Sequence, residues 1–308
     1  MILMGAIKNK IDFAVIVDVK NANPNGDPLD GNRPRTNYDG LGELSDVCIK
    51  RKIRNRLMES GKAIFVQSDD NRVDVYKTLR SRAEGELKKE AFKNEELLRE
   101  EACKKWIDVR SFGQVFAFKG KEKPSKKEKG NIAEVEDGAI EEKGDNKGVS
   151  IGIRGPVSIH SAFSISPINI SSIQITKSVS NEGDGTKKAS DTMGMKHRVD
   201  HGLYVFYGSI NPQLAEKTGF SEEDAEAIKQ SLVNLFQNDV SSARPDGSME
   251  VHKVYWWRHN SKVGQYSSAK VHRTLRVLPK IDEPKGIADY DISIEKLLDL
   301  ESTILDGR

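Results

Sequence analysis

Lys20, Asn21, Asn23, Asn25, Arg33 and Arg35 fall in one short stretch, V-K-N-A-N-P-N-G-D-P-L-D-G-N-R-P-R, which also holds Pro24, Gly26, Pro28, Gly31 and Pro34. Prolines and glycines fix or free φ and leave backbone N–H groups unpaired, so the stretch reads as a long, donor-rich loop with little to bury. A polyanion suits such a loop, and so does plain solvent. Asp18, Asp27 and Asp30 lie near the same loop. They could hold a divalent ion or polarise a ribose 2′-hydroxyl, although acids in a glycine-rich turn commonly just shape the turn. His197 and His201 have the spacing of a helical metal pair, but T-M-G-M-K-H-R-V-D-H runs into a strand and indicates no third ligand. No glycine cluster leads from a strand into Lys-Ser/Thr, and Cys48 has no nearby histidine to activate a thiol. The expectation is therefore a binding protein and not an enzyme, with no catalytic residue, metal or cofactor.

These residues need a scaffold. Ile11, Phe13, Val15, Val17 and Val19 alternate with a more mixed face, the period of a strand with one side committed to a core. Past the loop, Ser45 caps a helix carrying Ile49, Ile53 and Leu57 and stopping at Gly61. Lys50, Arg51, Lys52, Arg54 and Arg56 cover the rest of that helix, as a solvated face or as a phosphate or subunit contact. The Glu-, Lys-, Leu- and Ala-rich run from 72 to 105 predicts one or two inserted surface helices without a core of their own. D-V-R-S-F-G-Q-V-F-A-F, at 108–118, predicts a strand with Phe112, Phe116 and Phe118 packed inward. It partly follows the aromatic strand of RNA-recognition domains, but Ser111, Gln114 and Ala117 depart from that pattern.

From 119 to 148 hydrophobic content collapses, which predicts a flexible surface excursion. Beyond it Ile151, Ile153, Val157 and Ile159 share a face, Arg154 points the other way, and Gly155-Pro156 interrupts the strand. Extended arms at 168–177 and 202–210 flank a polar tip with Met193, Met195, Lys196, His197 and Arg198 on or near it, a protruding hairpin. Its methionines could wedge against bases while its cations hold phosphates, or it is an ordinary exposed loop. Ser221 opens a helix with Ala225, Ile228, Leu232, Leu235 and Phe236 on one face. A strand at 251–258 splits Trp256 and Trp257 between faces, leaving one outside the main core. A second basic strand is expected at 269–277 and a last helix near 294–305.

The chain has 308 residues, 49 Lys+Arg against 47 Asp+Glu, and a formal charge of +2, so any nucleic-acid affinity needs locally sorted charge. Two distant cysteines, Cys48 and Cys103, suit a reducing cytoplasm. With no run near ~18 apolar residues and no cleavable leader pattern in M-I-L-M-G-A-I-K-N-K, a soluble cytoplasmic protein with no membrane partner is expected. The order strand, helix, strand, insertion, strand, helix, strand is the split β-α-β arrangement of an α+β, ferredoxin-like (RRM-type) domain.

V-K-N-A-N-P-N-G-D-P, then R-P-R-T and a basic helix, then D-V-R-S-F-G-Q-V-F-A and I-R-G-P-V-S-I resemble the backbone subunit (Cas-seven family) of the type I-C CRISPR Cascade surveillance complex. The resemblance implies a ferredoxin-like palm, a helical fingers insertion and a β-hairpin thumb. The palm's first half would be 1–60, the fingers 61–107, a palm strand 108–118, a flexible insertion 119–148, a palm or web strand 149–162, the thumb 163–201, and the palm's second half with a C-terminal helix 202–308. It further implies copies stacked head to tail on the spacer of a CRISPR RNA, gripping backbone without reading sequence. Thumbs would displace bases at intervals and leave the guide free to pair with target DNA in antiviral defence. Further partners would be other Cascade subunits: the guide-RNA 5′-end-capping and processing subunit, the large subunit and the small subunits. On this resemblance Lys20, Asn21, Asn23, Asn25 and Arg35 belong to the palm loop at the RNA. Arg51, Lys52 and Arg54 lie on a helix near phosphates or the next copy, Arg110 and Arg154 are RNA candidates, and Met193, Met195, Lys196 and His197 sit on the thumb. Two alternatives stand beside it: a metal-dependent RNA-cleaving backbone subunit as in type III complexes, using Asp27 or Asp30, and a generic RNA-binding ferredoxin-like module.

Overall fold

A computed structural model describes residues 5–118, 149–177 and 193–308; the excursion at 119–148 and the hairpin tip at 178–192 lie outside the described residues. The strand that opens the chain, β1 (Ile11–Ala22), leads through the short β2 (Gly26–Asp27), β3 (Arg33–Pro34) and β4 (Leu41–Leu44) to helix α1 (Asp46–Glu59). Then come α2 (Leu79–Glu86), α3 (Glu95–Lys105), α4 (Ile107–Phe112), β5 (Gly113–Phe118), β6 (Val149–Arg154), β7 (Val157–Ile159), β8 (Ala162–Pro167), β9 (Ile170–Thr176) and the long β10 (Met193–Ile210). The chain finishes with α5 (Pro212–Thr218), α6 (Glu222–Val233), β11 (Met249–Arg258), α7 (Ser268–His272), β12 (Leu275–Pro279), β13 (Tyr290–Ile294) and β14 (Ser302–Asp306).

The result is a mixed α/β fold built on one large antiparallel sheet in the order β14-β11-β1-β10-β8-β4, with β7 and β9 also paired to β10. β1 is central and buried on both faces. Phe13, Val15, Val17 and Val19 join Ile49, Ile53 and Leu57 of α1 and Ile228 and Leu232 of α6 in the main core. Ala14 and Ile16 face a second core with Tyr255, Trp257, Val271 and Leu275. The mixed face of the first strand is thus covered as well, and Trp256 and Trp257 are both buried, one in each core. α1 and α6 follow their sequence signals: the Ser45 hydroxyl accepts from Cys48 N, and Ser221 and Asp224 close a capping box.

Four local expectations are corrected. Residues 108–118 are not one strand: α4 runs to Phe112 and Gly113, at φ 82°, turns the chain into β5. Phe116 is buried and Phe112 half-buried against the main core. Gly113 and Gly155 bring two backbones together, since a Cβ on Gly113 would lie 2.2 Å from the Ile153 carbonyl oxygen and one on Gly155 2.2 Å from that of Ser111. Residues 269–277 begin as α7, because the Ser267 side chain accepts from Lys270 N, and only then enter β12. The expected C-terminal helix at 294–305 is instead the end of β13, a turn with Asp299 at φ 57°, and β14, which pairs along β11 from Lys253↔Asp306 to Trp257↔Ser302. Pairing with an open sheet edge outweighs the weak helical period of the leucines. The inserted helices also differ from expectation, sharing a third core in which Phe65, Leu98, Ala102 and Trp106 pack on Phe116, Ile151 and Ile153 of the β5–β6 hairpin.

Candidate nucleic-acid interface

The loop after β1 is held by its own amides. Asn23 is buried, with Nδ2 donating to the Asn32 carbonyl at 2.6 Å and its backbone N–H to Ala243 O at 2.9 Å. Asn25 Oδ1 accepts from both Ser45 N and Ser45 Oγ at 2.9 Å, which ties the loop to the start of α1. Lys20 and Asn21 are exposed at the end of β1, Asn21 at φ 55°, a region asparagine tolerates better than most side chains. Arg35 meets Asp27 at 3.3 Å, and Asp27 also accepts from Leu29 N.

On α1 the cations divide into exposed and internal. Arg51 reaches outward to both oxygens of Asp70, at 2.8 and 2.9 Å. Lys52 is buried and donates to Asp239; burial lowers its pKa although Asp239 opposes the shift. Arg54 Nε donates to Asp108 Oδ2 at 3.0 Å, its guanidinium 5.1 Å from the Phe112 ring centre. Asp108, itself buried, also accepts from Phe65 N and Val66 N. Arg110 forms a fork with Asp224, 2.8 Å to each oxygen, and donates to Cys103 O. The RNA contact expected of Arg54 and Arg110 therefore competes with half-buried charge pairs that join α1, α4 and α6, and both residues hold the frame.

Asn25, Arg51 and Lys52 converge on one polar cleft of about 260 Å³ between the loop, α1 and the segment joining α6 to β11. Asn55, Asn71, Asn238, Ser241 and Arg244 complete its wall, and these went unseen in the sequence. Arg244 stands alone in the turn S-S-A-R-P-D-G-S, which is brought to the loop by the bonds from Lys20 N to Ser248 O and from Asn23 N to Ala243 O. Arg154 lies apart, exposed at the end of β6. On the hairpin, β10 pairs with β9 from Met193↔Thr176 to Val199↔Ile170. Met193 and Met195 are exposed, Lys196 lies opposite Ile173, and His197 Nδ1 is 2.8 Å from Ser172 Oγ. The arrangement can bind an anionic chain through cations and neutral amides in the cleft and offer apolar side chains on a ribbon.

At the sheet end of that ribbon His201 lies between two acceptors, with Nε2 2.9 Å from Asp18 Oδ1 and Nδ1 2.9 Å from Pro284 O. Burial works against its charge, but the bond to Asp18, that carboxylate's field and the Pro284 carbonyl prevail and raise its pKa. No helix among the described residues is long and apolar enough to cross a membrane.

A family model described as CRISPR-associated protein Cas7 matches residues 9–295. A CRISPR-associated protein Cas7 of Haloferax volcanii is 26% identical over 238 residues, covering 76% of this chain and 66% of the relative, just under two thirds of its length. A chain in a solved structure named CRISPR RNA-guided surveillance complex, pre-nicking, matches with a TM-score of 0.44 and 16% identity, over 80% of this chain and 78% of that one. A second, named CRISPR RNA-guided surveillance complex, gives 0.43 and 16%, over 80% and 68%.

Proposed function

The chain belongs to the Cas7 family, and from that premise we propose that it is a non-catalytic backbone subunit of a type I-C CRISPR surveillance complex. It binds the spacer of a CRISPR RNA, stacks head to tail on further copies, and presents the guide for pairing with target DNA. The observation that carries this reading is the convergence of Asn25, Arg51 and Lys52 on one polar cleft in a chain of this family. Side-chain amides and cations there suit a ribose-phosphate backbone, which such groups can grip without reading sequence.

The sheet order supports a ferredoxin-like palm: β1 lies between β11 and β10, β7 and β8 flank β10, α1 follows β1 and α6 precedes β11. In this reading 1–60, 108–118, 149–162 and 202–308 form palm and web, 61–107 the fingers and 163–201 the thumb, with 119–148 an insertion. Lys20, Asn21, Asn25, Arg35 and Arg51 meet the guide in the palm, Arg154 meets it at the web, and Met193, Met195, Lys196 and His197 meet it from the thumb. Asn23, Arg54 and Arg110 shape the groove from behind. The other complex partners are the end-capping and processing subunit, the large subunit and the small subunits. A non-catalytic role is favoured because Asp27 shapes the loop and pairs with Arg35 while Asp30 faces Arg33.

The test is mass photometry of the protein with and without a CRISPR RNA at low and high salt. Stepwise, RNA-dependent growth weakened by salt is expected; a mass unchanged by RNA overturns the backbone reading.

A further inference from the structure

The inner wall of the cleft carries a charge arrangement made by residues far apart in the chain. Asp239, between α6 and β11, offers its Oδ2 to two cations at once, Lys52 Nζ from α1 and Arg244 Nε, the latter at 3.0 Å. The Lys52 side chain is 5% exposed and that of Arg244 29%. Two cations on one carboxylate leave one positive charge over. Asp70, the other acid lining the cleft, is bonded through both oxygens to Arg51 and does not neutralise it. Burial keeps the Cys48 thiol of the same wall in its neutral form. Arg244 lines the cleft and, of its donors, only Nε and the backbone N–H are bonded within the described residues, so both Nη groups of a guanidinium held at Nε are available to a ligand.

We propose that Lys52, Asp239 and Arg244 form a seat for one backbone phosphate. Asp239 fixes the guanidinium edge, Arg244 presents its two Nη groups to the non-bridging oxygens, and Lys52 supplies charge from beneath. A phosphodiester carries the single negative charge that the seat lacks, and its paired oxygens match the planar fork. Asn55, Asn71, Asn238 and Ser241 add neutral donors around it. That the phosphate comes from a nucleic-acid strand rests on the guide-binding reading; the seat itself does not.

The experiment measures affinity for a fluorescent single-stranded CRISPR RNA between about 50 and 200 mM salt, with the wild type, Arg244→Gln, Arg244→Lys and, as a control at a distant exposed arginine, Arg273→Gln. Urea midpoints establish that each variant is folded. Arg244→Gln is expected to bind roughly tenfold more weakly, the loss of one charged hydrogen-bonding group, with the log–log salt slope shallower by about 0.7. Arg244→Lys keeps the slope with intermediate affinity, and Arg273→Gln matches the wild type. A second arm adds inorganic phosphate at constant ionic strength, which is expected to compete with RNA on the wild type more than on Arg244→Gln. A wild-type slope and affinity in Arg244→Gln overturns the seat while RNA-driven assembly of the wild type leaves the backbone reading standing. Phosphate competition that is lost in Arg244→Gln without any change in RNA slope overturns the strand assignment. A wild type that takes up no RNA overturns the guide-binding reading and with it the strand assignment.

Discussion

Replacing Arg110 by alanine separates a structural arginine from an RNA-binding one. Its guanidinium forks onto Asp224 at 2.8 Å per bond, the side chains being 18% and 6% exposed, and a third bond goes to Cys103 O. Asp224 is also the capping residue of α6, taking Ser221 N on the same Oδ2 that meets Arg110 Nε. The truncation leaves a buried carboxylate with only its cap bond, the situation in which breaking a buried pair costs about 3–5 kcal/mol. That is a large part of the roughly 5–15 kcal/mol that holds a domain. For chains of a few hundred residues each kcal/mol moves Tm by about 2–4 °C, so a drop of about 10 °C is expected in scanning calorimetry, matched by a lower urea midpoint at unchanged m. Arg110→Lys keeps the charge, loses the fork and falls in between. Below the variant's melting range the salt slope of RNA binding stays at the wild-type value. An Arg110→Ala protein that melts with the wild type but binds RNA with a shallower slope would refute the assignment.

Asp12 is fully buried and accepts from Lys10 Nζ at 2.9 Å and His259 Nε2 at 2.8 Å, so Asp12→Ala is expected to cost about 3–5 kcal/mol in urea unfolding by stranding both; a loss under 1 kcal/mol contradicts this. His201 has a raised pKa, so its stabilising bonds are fully present below the unfolded value of about 6.5 and fade as pH rises through the folded one. The gap in urea midpoint between wild type and His201→Gln should therefore be wider at about pH 5.5 than at pH 8.5, and a gap that widens with pH contradicts the sign. Gly113→Ala places a Cβ 2.2 Å from Ile153 O at φ 82° and should cost about 3 kcal/mol. Chemical unfolding with wild-type stability would show that the backbone between α4 and β5 yields there.

The elements with a strong local signal were readable: the alternation of β1, and the caps and apolar spacing of α1 and α6. What could not be read was decided by partners far away in sequence. β14 is a strand because β11 offers an edge, and Ala14 and Ile16 on the even-numbered face of β1 are buried because α7 and β12 come back to cover them. The candidate site divides in the same way. The cations of the loop and of α1 were visible, but their neutralising acids were not: Lys52 meets Asp239, Arg54 meets Asp108 and Arg110 meets Asp224 across 187, 54 and 114 residues. Arg244, one cation in a short turn, has no spacing by which to be noticed.

On the proposed reading, these pairs also show how a chain with a formal charge of only +2 would grip a polyanion. Net charge counts every lysine and arginine alike, whereas Asp108 and Asp224 each withdraw one arginine into the frame and Asp239 answers two cations with one carboxylate. Paired cations contribute little field at a distance, since each pair is nearly neutral beyond a Debye length. On that reading a few cations whose balance is local would carry the attraction: the surplus beside Asp239 in the cleft, and outside it the exposed Lys20 and Arg154. Neutral amides supply most remaining donors of the cleft. Amides hold a phosphate by direction more than by charge, which on the backbone reading would keep a repeating subunit on the register of the strand without making it cling to every polyanion it meets.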